Sequence, residues 1–366
     1  MELTKNNLEA ILKKVVHPET QKDIFSSGLI NEINIDGNSI DVVLMFEKAT
    51  DPFINSIKRS VKTEIEREFG DDLIINITTK IKPKEKAAPK NADGIEGIEN
   101  IVAIASGKGG VGKSTVTVNL AVALAQKGYR VGVIDADIFG PSIPKMFGVQ
   151  DVKPSGVKEG NKEFIIPVEK YGVKMLSVGF FVYPAEATIW RGPMATGVLK
   201  QLIDQAKWGE LDYLLFDMPP GTSDIHLTLV QSVPVTGAVI VSTPQEVAIA
   251  DARKGVAMFK SNGIEVPVLG LVENMAWFTP AELPENKYHI FGKGGTEKLA
   301  KEVHTEVLAQ IPIVESVCEN GDTGKHSALD FTSVIGKSFS DFADKFLDAV
   351  EKRNKNQAPT KQVIIK

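Results

Sequence analysis

Gly107-Lys108-Gly109-Gly110-Val111-Gly112-Lys113-Ser114-Thr115 decides how this chain is read. Four free positions separate Gly107 from Gly112-Lys113-Ser114, the spacing of a phosphate-binding loop. The run Ile101 to Ala105 before it is continuously apolar and reads as a buried strand. The run Val116 to Ala125 after it reads as a helix. A glycine-rich turn so placed presents backbone N–H groups and a helix N-terminus to a polyphosphate. The expectation is nucleotide binding with ATP hydrolysis.

Each loop residue has an expected task. Gly107, Gly109, Gly110 and Gly112 let the backbone, with Val111, curl round phosphate without Cβ clashes. Lys113 places an ammonium against the β and γ phosphates, and Ser114 gives its hydroxyl to Mg²⁺. Thr115 hydrogen-bonds the α phosphate. Lys108 is a second lysine that a standard loop does not need. Two readings of it stand: an ordinary surface lysine, or extra charge for the transferring phosphoryl group.

Two further strands end in acids. Arg130 to Asp137 runs into Asp135 and Asp137, and Leu211 to Asp217 is followed by Met218-Pro219-Pro220-Gly221. Acids at the carboxyl ends of parallel strands face the crevice where α/β sheets bind ligands. Asp217 is expected to hold Mg²⁺ through water, and Asp137 to orient or deprotonate the attacking water. Asp135 is expected to support the metal shell. Gly221 is expected to offer its N–H to the γ phosphate, and His226 lies close enough in sequence to respond to it.

The chain has 366 residues, enough for two domains. The net charge of −5 provides no excess of cations for a nucleic-acid backbone. No apolar run approaches a membrane span, and Met1 to Asn6 has no apolar signal core. The single cysteine, Cys318, forbids an internal disulfide and suits the cytoplasm. No nucleic-acid or membrane partner is expected.

The layout has four parts. Residues 1–81 read as a small α+β domain. It has a helix over Asn7 to Val16, strands over Ile30 to Ile35 and Ser39 to Phe46 joined through Asp36-Gly37-Asn38, a helix over Phe53 to Phe69 with Pro52 in its first turn, and a strand over Leu73 to Thr79. Residues 82–94 read as a charged, proline-containing linker. Residues 95–350 alternate strands and helices. The strands are 101–105, 131–135, 213–217, 237–242, 267–273 and 308–311, with edge pieces at 163–167 and 172–179. The helices are 195–206, 245–259, 294–304 and 334–350. The fold class is α/β, a mostly parallel sheet with helices on both faces. Residues 351–366 read as a flexible polar tail.

Several motifs together resemble the Mrp/ApbC family of P-loop ATPases. They are the loop itself, Asp135 to Ser142, Trp190-Arg191-Gly192-Pro193-Met194, Asp217 to Thr222, Val272-Glu273-Asn274-Met275 and Ile290-Phe291-Gly292. The likeness spans residues 98–345. Pro18-Glu19 and Gly28-Leu29-Ile30 resemble the small iron–sulfur-assembly domain that many members carry first. The resemblance implies a deviant-Walker ATPase, related to MinD and ParA, that forms a homodimer around ATP. It implies that Lys108 contacts the partner's nucleotide, that Asp137 is the hydrolytic acid, that Asp217 is the Walker B acid, and that Asn274 reads adenine. It also implies carriage of iron–sulfur clusters to recipient proteins on a Cys-x-x-Cys pair.

The chain departs from that pattern where the pair belongs. Thr279 to Glu285 stands there, and no cysteine lies between Phe278 and Ile290. The small domain has Asp51-Pro52 where relatives place a cysteine before proline. Thiolates normally hold such clusters. Cys318, with Glu282, Glu285 or His289, is one alternative ligand set; a small buried side chain is the other reading of Cys318. Two functions therefore stand: an ATP-dependent cluster carrier, or an ATP-switched assembly factor that holds no cluster. A partitioning ATPase would need a basic surface or a membrane-binding tail, and a small-molecule kinase would need an acceptor pocket.

Overall fold

The computed structural model describes residues 3–18, 22–36, 39–46, 51, 53–70, 73–81, 95–181, 192–280, 282–283 and 285–360. The linker at 82–94, the turn residues Gly37 and Asn38, Pro52, Trp190-Arg191 and the tail beyond 360 lie outside them. The chain divides into two compact units, Met1–Ala87 and Ala88–Lys366.

The first unit runs α1 (Lys5–Leu12), β1 (Ile30–Asp36), β2 (Ser39–Phe46), α2 (Ile54–Phe69) and β3 (Ile74–Ile81). β2 is central, antiparallel to β1 and parallel to β3. Its alternate residues Ile40, Val42, Leu44 and Phe46 are buried with Ile57, Val61 and Ile65 of α2. That is the period-two strand meeting the helical stripe. α1 is shorter than the expected 7–16 helix. Thr4 caps it by accepting from the Asn7 N–H. It stops at Leu12, ahead of β-branched Val15 and Val16 and of His17-Pro18, residue types that favour extended backbone.

The second unit runs β4 (Ile98–Ser106), α3 (Lys113–Gln126), β5 (Val131–Asp135), α4 (Ile143–Met146), β6 (Ser155–Glu159), β7 (Lys162–Ile166), β8 (Val168–Lys170), β9 (Val173–Ser177), α5 (Gly192–Asp204), β10 (Leu211–Asp217) and α6 (Asp224–Ser232). It continues with β11 (Gly237–Ser242), α7 (Glu246–Lys260), β12 (Val268–Phe278), α8 (Gly295–Glu302), β13 (Val307–Ile313), α9 (Glu315–Thr323) and α10 (Val334–Asn356). Eight strands form one sheet in the order β13-β12-β11-β4-β10-β5-β9-β8. All neighbours are parallel except β8 and β9.

Helices cover both faces. Leu120 and Leu124 of α3 and Phe339, Phe342 and Phe346 of α10 pack on one side. Leu199 of α5, Leu229 of α6 and Val256 and Phe259 of α7 pack on the other. Double coverage explains why β5, β10 and β11 are buried at every residue. β4 is central, with β10 and β11 as neighbours. The phosphate loop and Asp217 therefore leave adjacent strands at the same edge.

The structure revises some boundaries. β7 pairs with β6 in a separate two-stranded sheet, while 173–177 enters the main sheet beside β5. α10 runs past 350 to Asn356, so the first six residues assigned to the tail are helical. Among the described residues, no helix is long and apolar enough to cross a membrane.

Two buried histidines set an acid limit on this unit. His226 and His326 are both pushed down to about 4, chiefly by burial. The fold keeps them neutral, whereas an unfolded chain protonates them below about pH 6.5. Stability is full above that value and falls as pH drops toward 4. The expected loss is about 2 kcal/mol per histidine between pH 7 and pH 5. Urea midpoints across that range check it, and His326→Leu should flatten the acid limb.

Candidate nucleotide site

β4 ends at Ser106, and the loop crosses a cavity of about 290 Å³ before α3 begins at Lys113. The cavity is lined by the loop residues Lys108 to Thr115, with Asp137, Ser142, Met146 and Pro220. A larger groove of about 760 Å³ lies between the amino-terminal ends of β12 and β13 and helix α10, away from the loop.

Lys113 is only 6 % exposed, and its ammonium stands 2.8 Å from Asp217 Oδ1 and 4.0 Å from Asp137 Oδ2. Ser114 donates its hydroxyl to Asp217 Oδ2 at 2.6 Å. Thr117 donates to Asp217 Oδ1 at 2.8 Å and to the Lys113 carbonyl at 3.0 Å. Asp217 is fully buried, and these three partners are what allow a carboxylate to stay there. Thr117 is a site residue that the motif reading missed. It stands four residues after Lys113, one helical turn on, and that spacing was its only sequence signal.

Asp137 reaches the cavity beside Lys113. Its pKa is raised by burial, an effect Lys113 opposes. Asp135 is held by the protein's own donors. It is fully buried, and its oxygens accept from the N–H groups of Asp137 (3.2 Å), Ser142 (3.1 Å) and Ile143 (3.2 Å) and from Ser177 Oγ (2.9 Å). Burial first, then the charge of Asp217, pushes it up to about 7. Its donors come from the protein, and through them it braces the 137–143 segment.

Gly221 and Asn274 each contact the loop or its strand. The Gly221 N–H donates to the Ser106 carbonyl at 2.9 Å. The Asn274 Nδ2 donates to the Val111 carbonyl, inside the loop, at 2.9 Å. Thr115 and Lys108 line the cavity, and Lys108 makes no ion pair with a described residue. His226 closes a capping box with Ser223 at the start of α6. Cys318 lies on α9.

The strand, loop, helix and paired acids define a P-loop nucleoside triphosphatase. A ParA-type family profile described as NUBPL iron-transfer P-loop NTPase matches residues 97–347, and the chain belongs to that family. A second profile, described as iron–sulfur cluster assembly protein, matches residues 5–71. The iron–sulfur cluster carrier protein of Synechocystis sp. is 42% identical over 322 residues, covering 88% of this chain and 90% of that protein. The protein of the same name from Haemophilus influenzae is 40% identical, covering 93% and 90%. Among solved structures, an Archaeoglobus fulgidus nucleotide-binding protein in complex with ADP is 37% identical with a TM-score of 0.56, covering 66% of this chain and 93% of that one. The septum site-determining protein MinD from Pyrococcus horikoshii, complexed with Mg-ADP, has a TM-score of 0.50 at 22% identity over 70% of this chain and 99% of that one, and shares the fold.

Proposed function

We propose that this chain is an ATP-hydrolysing iron–sulfur cluster carrier that acts as a homodimer, loading clusters or passing them to apoproteins. The observation that carries the reading is the Lys113–Ser114–Asp217 constellation, set in a chain whose two units both match iron–sulfur families. Relatives that align with about nine-tenths of the chain bear the carrier name. The cluster-free assembly switch is not favoured by those matches.

The chemistry follows from the residues. Loop amides and Lys113 bind the β and γ phosphates, neutralising charge where it develops. Ser114 and Asp217 form an oxygen donor set that would hold Mg²⁺. The cation would supply positive charge against the phosphate oxygens. Asp137 orients the attacking water. Lys108, which makes no ion pair with a described residue, reaches the partner's phosphates. Loss of the γ phosphate relaxes residues 218–226.

The cluster is cargo, and this chain does not supply the usual cage for it. One cysteine per chain gives a dimer two thiolates, against the four that common clusters use. Among the described residues, no group of three or more His, Cys, Asp or Glu side chains is placed to hold a metal. Non-thiolate donors or a bound recipient must complete the ligand set, and no transfer step is derived through it. A cytoplasmic setting suits a chain with a single cysteine.

Asp137→Asn tests the hydrolytic half. Turnover should fall by about 10²–10³-fold while ATP affinity stays near the parent value. Phosphate release and equilibrium binding measure the two, and lost binding would assign Asp137 a structural role. For the carrier half, iron and labile sulfide per dimer after anaerobic purification should exceed background. None bound, with or without a recipient, overturns it.

A further inference from the structure

Asn274 lies within β12 and is 7 % exposed. Its amide nitrogen donates to the Val111 carbonyl inside the phosphate loop at 2.9 Å. The next residue, Met275, has φ +56°, a left-handed conformation that bulky residues rarely adopt. The pairing of β12 with β13 also shifts register between Asn274 and Phe278. The loop is shaped to receive this side chain. Gly112 takes φ +79°, and a Cβ there would stand 2.2 Å from Asn274 Nδ2. Glycine and asparagine are therefore a fitted pair. Backbone strain of this kind persists where the surrounding contacts hold it.

Beyond the kink the same strand reaches the protein surface. Phe278 and Tyr288 exchange both backbone hydrogen bonds at 2.8 Å, drawing the two ends of the 279–287 segment together. His289 Nδ1 donates to the Ala276 carbonyl at 3.0 Å, since a carbonyl can only accept. The Lys287 ammonium lies 4.2 Å from the centre of the Trp277 ring. One strand thus grips the phosphate loop at Asn274 and closes a surface hairpin four residues later.

We propose that Asn274 is a positioning residue that clamps the phosphate loop and, through the Met275 kink, couples it to the 276–290 hairpin. This rests on the ATP-hydrolysing reading above. The clamp holds the Val111 carbonyl turned away from the phosphates, so that the neighbouring N–H groups face them. Its contact is to main chain and is blind to the base. Removing it weakens every polyphosphate ligand, whereas removing a base-reading residue weakens only nucleotides that carry that base.

The test uses the full chain with Asn274→Ala and Asn274→Leu. Leucine keeps the size, lacks the N–H donor and adds no charge. ATP turnover is measured together with calorimetric binding of inorganic tripolyphosphate, which has no base. Hydrogen exchange over 276–290 is followed with and without a non-hydrolysable ATP analogue. Both variants should lose about tenfold in kcat/KM for ATP. They should lose a similar factor in tripolyphosphate affinity, and the exchange response of the hairpin. Tripolyphosphate binding at the parent level overturns the clamp, and a retained hairpin response overturns the coupling. Should Asn274→Ala fail to fold, the near-isosteric leucine decides. A parent chain that binds tripolyphosphate but does not hydrolyse ATP overturns the proposed function, while the binding and exchange arms still test the clamp.

Discussion

Lys113→Ala should lower ATP turnover by about 10³-fold or more. The ammonium removed stands 2.8 Å from Asp217 and 4.0 Å from Asp137. It lies where the charge of the terminal phosphates must be met. The same change has a structural cost. Asp217 is fully buried and would keep the hydroxyls of Ser114 and Thr117 but lose its counter-charge. Breaking a buried pair on one side costs about 3 kcal/mol. Phosphate release and a urea titration measure the two effects. Turnover within tenfold of the parent would remove Lys113 from the chemistry.

Gly107→Ala should damage the fold and the site together. A Cβ at 107 would stand 2.1 Å from the Asp251 carbonyl carbon, 2.3 Å from its oxygen and 2.4 Å from the Ala252 nitrogen. Those atoms are backbone of α7, in a stretch whose Ile249 and Ala252 are buried. Neither the loop nor the helix can give way through a side-chain rotation. The expected loss is about 3 kcal/mol, at the upper end of ordinary overpacking. Turnover should fall about 10²-fold as the loop is displaced. Gly109→Ala is the control, because a Cβ there meets only Pro220 Cγ at 3.9 Å. Equal thermal midpoints for the two variants would contradict the close approach of loop and helix.

These residues also show what a sequence can disclose. The loop, the strand before it and Asp217 are legible because each is local. A glycine pattern follows an apolar run, and an acid closes another. Coverage on both faces makes the strands uniformly apolar, so β5, β10 and β11 stand out. The bracing contacts of Asp135 are not legible in the sequence because their donors include residues distant in the chain, above all Ser177 on β9. The Gly221 contact depends on β4 and β10 becoming neighbours in the sheet, and the Asn274 contact on the fold bringing the end of β12 to the loop across β11. Short elements such as α4, four residues long, carry too little periodicity to be seen. The apolar stripe carries the expected helix through Val15, which is buried from outside α1.

Cluster transfer driven by ATP tests the union of a phosphate-cleaving site with the movement of a cluster. The chain, reconstituted anaerobically with iron and sulfide, is mixed with an apo-acceptor protein, and the acceptor's visible absorbance is followed. Transfer should be faster with Mg-ATP than with Mg-ADP, and the difference should vanish in Lys113→Ala. Equal transfer rates for parent and Lys113→Ala in Mg-ATP would contradict it.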